Sequence, residues 1–223
     1  MKSIFLKIIY IIVSEMNKTI PEKILLNKAV VVDPTMPYVL ASGVNSPIYC
    51  DMRKLLSDVE TRSEIIKNIA DLIEKEGFNN YVIVGVATAG IPWASLLAQS
   101  LNKPLAYVRP EPKDHGLGKQ IEGSILKGQK VIVIEDLTST GGSAIRSVEA
   151  IHSENIEVLS CYSICSYKSK LAKERFSELR IKHSFLYGID EILQTAFNNK
   201  YLSSIEIKLV EDWLRTGPFN SDI

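Results

Sequence analysis

Five short, largely apolar runs, at 81–86, 105–108, 131–134, 158–165 and 185–187, alternate with stretches whose apolar residues recur at helical spacing. No other feature restricts the fold as strongly, because strands that each return through a helix are joined in parallel, with the helices covering the sheet. After Thr61, the residues Ile65, Ile66, Ile69, Leu72 and Ile73 share one helix face. Thr61 and Glu64 have capping-box spacing, and Gly77 ends the run. Gly90 and Pro92 open the next helix, with proline in its first turn. Helical patterns follow near 143–154 and 168–180, and Ile205, Leu209, Val210 and Trp213 place an amphipathic helix at 203–215. The pattern predicts an α/β fold with a central, mostly parallel sheet flanked by helices.

A chain of 223 residues accommodates one large domain, or one domain with a small appendage. The apolar stretch 4–13 is too short for the roughly 20 residues that span a bilayer and is interrupted by Lys7. It leads into Ser14, Glu15 and Met16 rather than a small-residue cleavage site. We therefore expect an N-terminal extension at 1–15, with Met16 an alternative start, and no membrane contact. Lys plus Arg number 26 and Asp plus Glu 26, so no net field draws nucleic acid or an anionic membrane, and any anion site must be local. Three cysteines, two of them (Cys161 and Cys165) inside a strand-like run, read as reduced thiols of a cytoplasmic protein. The three histidines show no ligand spacing, so no metal site built from protein side chains is expected, and His152 and His183 are assigned no role.

The connection at 109–123 is polar, rich in proline and glycine, and carries Arg109, Lys113, His115 and Lys119. Structureless connections above about 12–15 residues are uncommon in compact domains and often cover a ligand. Its composition suits a cover over an anion, and suits a solvated hairpin as well.

The run 131–143 carries most of the chemistry. An apolar strand leads into Glu135 and Asp136, then Leu137, Thr138, Ser139, Thr140, Gly141, Gly142 and Ser143, then a helix. Ligands of open α/β sheets bind beyond the carboxyl ends of strands, where the first amides of the next helix lack intrahelical partners and can receive a phosphate. Glycines allow close backbone approach, and hydroxyls add donors. Neither a Walker lysine nor a G-x-G-x-x-G pattern is present. Two carboxylates beside a phosphate cradle make sense if the ligand also carries donors, such as ribose hydroxyls; the same pair could also cap the turn.

This strand, Glu-Asp and small-residue turn resembles the phosphoribosyl-diphosphate motif of type I phosphoribosyltransferases, and Lys113-Asp114-His115-Gly116 resembles the catalytic loop of the orotate phosphoribosyltransferase family. The segment containing Ser42, Gly43 and Ser46 to Tyr49 resembles the family's base-covering segment, and 85–92 its diphosphate loop. The resemblance covers roughly residues 20–215. It implies the type I fold as a single domain over 16–223, with a small N-terminal hood at about 16–60 and a core at about 61–215. It further implies transfer of phosphoribose from 5-phosphoribosyl 1-diphosphate to orotate, with Mg²⁺ bound mainly through substrate, in a cytoplasmic homodimer with shared active sites. Arg109, Lys113 and His115 would contact the diphosphate, and Glu135 and Asp136 the ribose. Leu137 and the turn from Thr138 to Ser143 would wrap the 5′-phosphate, with Ser139 near orotate. Lys113, His115 and Asp136 are the implied catalytic residues.

The chain departs from some family members at Ala41, Ala89 and Pro110, matched there by lysines, and at Tyr167, matched there by an arginine that contacts orotate. Backbone amides near Tyr49 and Cys50, or the side chain of Arg53, are the expected alternatives for orotate's carboxylate; Arg53 reads equally as a surface ion-pair residue. Two competing functions follow from the same motif: transfer to another nucleobase, or non-catalytic sensing of the donor. The second usually adds a nucleic-acid surface, and no basic stripe is visible.

Overall fold

The computed structural model describes residues 18–33, 38–39, 45–111 and 120–217. Helix α1 (Ile20–Leu26) is followed by short strands β1 (Val30–Val32), β2 (Tyr38–Val39), β3 (Asn45–Ser46) and β4 (Ile48–Cys50), then a 3₁₀ turn at Met52–Ser57. β1 pairs antiparallel with β4, and β2 with β3, so this N-terminal part stands apart from the main sheet. Helix α2 (Val59–Lys75) then leads into β5 (Tyr81–Val86), α3 (Gly90–Leu101), β6 (Leu105–Val108), β7 (Ile121–Glu122) and β8 (Lys130–Thr138). The chain continues through α4 (Gly142–Ser153), β9 (Val158–Ser166), α5 (Lys170–Glu178), β10 (Lys182–Gly188), α6 (Ile189–Asn198) and α7 (Ser204–Thr216).

The main sheet has the order β10-β9-β8-β5-β6-β7, and every pair is parallel except β6 with β7. Strand alternation divides the core in two. Ile83, Ile132, Ile134 and Ile164 pack with Ile65, Ile69 and Trp93 on one face, while Val82, Val84, Val131 and Val133 pack with Val148 and Ile151 of α4 on the other. From β5 the chain moves to β6 on one side, but β8 lies on the other side of β5 and the later strands extend away from it. The reversal leaves a crevice at the carboxyl ends of β5 and β8, where open α/β sheets hold their ligands.

Several sequence expectations shift locally. Asp58, not Thr61, caps α2: its carboxylate accepts from the Thr61 amide at 3.1 Å and the Thr61 hydroxyl at 2.7 Å. Glu64, the expected reciprocal partner of Thr61, is instead drawn to the buried Lys23 ammonium at 3.1 Å. The connection after Arg109 is not structureless throughout, because β7 folds back on β6 and the Arg109 amide donates to the Gln120 carbonyl at 2.9 Å. Helix α6 has no counterpart in the sequence reading; Ile189, Ile192, Leu193 and Ala196 supply its buried face. Strand β8 continues through both carboxylates to Thr138.

Candidate active site

The site grows from the continuation of β8 past its apolar part. Parallel pairing with β9 sets Glu135 opposite Ser163 and Thr138 opposite Ser166, so the carboxylate-bearing end remains part of the sheet. The chain then turns through Gly141, whose φ of 75° lies in the left-handed region open to glycine, and α4 begins at Gly142. No side chain caps α4, so its first amides remain available to a ligand. Gly90 lets the start of α3 pack directly on β8 at the base of the carboxylates, since any Cβ there would run into the carbonyl oxygen of Ile134 and crowd the backbone of Glu135.

These features enclose a cleft of about 430 Å³ lined by Glu135, Leu137 and residues 138–143, with Ala144 and Arg146 from α4 and Tyr49, Cys50 and Tyr167 at its other end. Glu135 is buried, and its Oε2 has no hydrogen-bond partner. Burial first, then the charge of neighbouring Asp136, hold its carboxyl well above the usual range, while Arg146 pulls the other way. Asp136 is buried too and raised mainly by desolvation, an effect opposed by hydrogen bonding from Glu135 and by the charge of Arg53. The pair thus holds a proton readily. An unsatisfied buried carboxyl oxygen beside open helix amides suits a ligand that offers hydroxyl donors next to an anionic group.

The structure brings Glu135, Leu137, Thr138, Ser139, Thr140, Gly141, Gly142 and Ser143 together around one cleft. Asp136 adjoins it without lining it, and its charge acts on Cys50 and Arg53 instead. Arg109 approaches Glu122 at 4.0 Å and does not line this cleft. Lys113, His115, Lys119, Ala41, Ser42 and Gly43 lie outside the described residues. Arg53 forms a two-point pair with Asp51, Nε to Oδ1 at 2.6 Å and Nη2 to Oδ2 at 3.1 Å, which matches its ion-pair reading. The cysteines are unpaired. Among the described residues no helix is long and apolar enough to cross a membrane.

The profile of the phosphoribosyl transferase domain matches residues 56–192. Orotate phosphoribosyltransferase of Cytophaga hutchinsonii is 41% identical over 197 residues, covering 88% of this chain and 94% of that protein. The Listeria innocua enzyme of the same name is 41% identical over 198 residues, again 88% and 94%. The chain belongs to the orotate phosphoribosyltransferase family. Among solved structures, orotate phosphoribosyltransferase from Aeropyrum pernix superposes with a TM-score of 0.68 at 29% identity, over 79% of this chain and 98% of that one. The fold is thus the type I phosphoribosyltransferase fold, with the mostly parallel sheet and separate N-terminal segment described above.

Within this orotate phosphoribosyltransferase fold, one contact and two residues escaped the sequence reading. Tyr167 is buried at the cleft and its hydroxyl donates to Cys50 Sγ at 3.2 Å, tying β4 to the end of β9, while burial pushes the Cys50 thiol up to about 12. His183 is not remote from the motif: its Nε2 lies 3.2 Å from the Thr138 hydroxyl and 3.0 Å from that of Ser163, and its ring stacks on Phe176. Burial lowers its pKa to about 4, so it is neutral near pH 7. Arg146 was hidden because a single basic residue one turn into a helix carries no motif of its own. Its i+4 distance from Gly142 was the available signal.

Proposed function

We propose that this chain transfers the 5-phosphoribosyl group from 5-phosphoribosyl 1-diphosphate to N1 of orotate, giving orotidine 5′-monophosphate and diphosphate in pyrimidine (UMP) synthesis. One observation carries the reading: a buried carboxylate oxygen without a partner and the uncapped amides of α4 face the same cleft. A phosphorylated sugar answers both needs at once. The 5′-phosphate would sit in the turn at 138–143, the ribose hydroxyls would donate to Glu135 and Asp136, and orotate would lie toward Ser139, Tyr49 and Cys50.

As the bond at C1′ stretches, the leaving diphosphate gains negative charge and the ribose ring gains positive charge. Glu135, with Asp136 adjoining the cleft, would offset the ring's charge, and Arg109, Lys113 and His115 would be the cations that meet the departing group. In a homodimer with shared sites these cations would come from the neighbouring subunit, a reading supported by the position of Arg109 away from its own chain's cleft. The N1 proton of orotate must leave as the bond to C1′ forms, and the departing diphosphate or solvent can accept it, so no strongly basic side chain is required.

Mg²⁺ would be bound mainly through oxygens of the donor. Among the described residues no cluster of three His, Cys, Asp or Glu could hold a metal alone, but Glu135 and Asp136 provide the hard oxygens that one- or two-carboxylate binding alongside substrate uses. When bound, Mg²⁺ would neutralise diphosphate charge. The test is direct: mixing the protein with donor, Mg²⁺ and orotate should deplete orotate absorbance. Consumption of another nucleobase in its place would overturn the assignment.

A further inference from the structure

The turn at 138–143 contains hydroxyls and glycines but no cation. Two arginines from outside it converge on its end. A Cβ built on Gly142 would lie 3.3 Å from Nη1 of Arg146 and 3.6 Å from Nη1 of Arg175, with the Thr140 hydroxyl at 3.7 Å. The two guanidinium nitrogens therefore stand at most about 7 Å apart, a distance at which like charges repel unless an anion or a polar group offsets them.

Arg175, on α5, is partly accounted for, since its Nη1 donates to the Thr140 carbonyl at 2.8 Å and so straps the turn. Arg146, on α4, makes no hydrogen bond or ion pair among the described residues, although it lines the cleft and its charge reaches Glu135. It does not pair with that carboxylate, whose Oε2 stays unpartnered. An exposed arginine held over open helix amides, beside a second guanidinium, is arranged for a dianion.

We propose that Arg146 is a phosphate-binding residue of this cleft, its guanidinium closing the open side of the 138–143 turn over the phosphomonoester of the sugar. This rests on the phosphoribosyl reading above and extends it, because it makes side-chain charge, and not only backbone amides, the source of selectivity for phosphorylated over unphosphorylated sugar. A charge-assisted hydrogen bond of this kind corresponds to about ten- to a hundredfold in affinity.

The test is calorimetric titration of the full-length protein with ribose 5-phosphate and, separately, competition by orotidine, which lacks the phosphate. Arg146→Gln should weaken ribose 5-phosphate at least about tenfold while leaving orotidine within about twofold, and Arg146→Lys should recover part of the loss. The residue is exposed on α4, so thermal melting should show both variants folded. Ribose 5-phosphate binding by Arg146→Gln within about twofold of the parent, or equal losses for both ligands, would overturn the assignment while leaving the phosphoribosyl reading standing. Failure of the unmodified protein to bind ribose 5-phosphate would overturn both.

Discussion

Glu135→Gln should make the protein more stable and less active. Glu135 is only 6% exposed, with Oε2 lacking a partner and Asp136 alongside, so its ionised form is disfavoured first by burial and then by like charge. Glutamine imitates the protonated form and keeps a donor for Asp136. Removing the disfavoured charge of this buried group is worth about 1–3 kcal/mol at a pH where a free glutamate ionises. For a chain of this size, about 2 kcal/mol raises Tm by about 4–8 °C. The sign follows from linkage: a carboxyl with a raised folded pKa disfavours the native state as pH rises above its unfolded value of about 4.3. The gain should therefore grow as pH rises above about 4.3 and fade toward pH 4, where glutamic acid is mostly protonated in both states. Differential scanning calorimetry across pH 4–8 measures it. In the same preparation kcat/KM for the donor should fall about ten- to a hundredfold, because a hydroxyl acceptor is lost. A Tm difference independent of pH, or a variant less stable at pH 8, would refute the reasoning.

Other residues give separate tests. Gly141→Ala places a Cβ at φ 75° and within 3.4 Å of Ala172 and Phe176; it should cost about 1–2 kcal/mol and raise KM for the donor, and an unchanged melting temperature would contradict the turn's geometry. The His183 imidazole should titrate near 4 by proton NMR. Because the unfolded chain takes up that proton near 6.5, stability should decline as pH falls from about 6.5 toward 4, and His183→Phe should lessen the decline; a midpoint above 6 would contradict its burial. Mixed Lys113→Ala and Asp136→Asn subunits should regain one intact site per heterodimer; no recovery after proven exchange would rule out shared sites. Lys113→Ala alone should lower kcat more than it raises KM.

The sheet could be read from the sequence because its central strand is buried on both sides and appears as an unbroken apolar run: Tyr81–Val86 begins and ends where that run does, and Leu105–Val108, with alternate residues buried, is bounded by its own apolar run in the same way. β8 was read too short, since polar Glu135, Asp136 and Thr138 look like loop residues and only pairing with β9 keeps them extended. α6 was missed because its ten residues follow β10 without a loop and its start at Gly188 has no side-chain cap. Local spacing likewise favoured Thr61 as a cap, whereas Lys23, 41 residues from Glu64, decided otherwise. In the cleft the turn at 138–143 was legible as one contiguous motif. Arg146, Tyr167 and His183 reach it from separate elements, and only folding brings them there.

The central claim is that the turn at 138–143 and the carboxylate of Glu135 together hold a sugar phosphate. A crystal structure with 5-phosphoribosyl 1-diphosphate and Mg²⁺ tests it most directly. It should show the 5′-phosphate on the amides at the start of α4 and a ribose hydroxyl on Glu135 Oε2. A vacant turn, with the sugar bound elsewhere, would contradict the account.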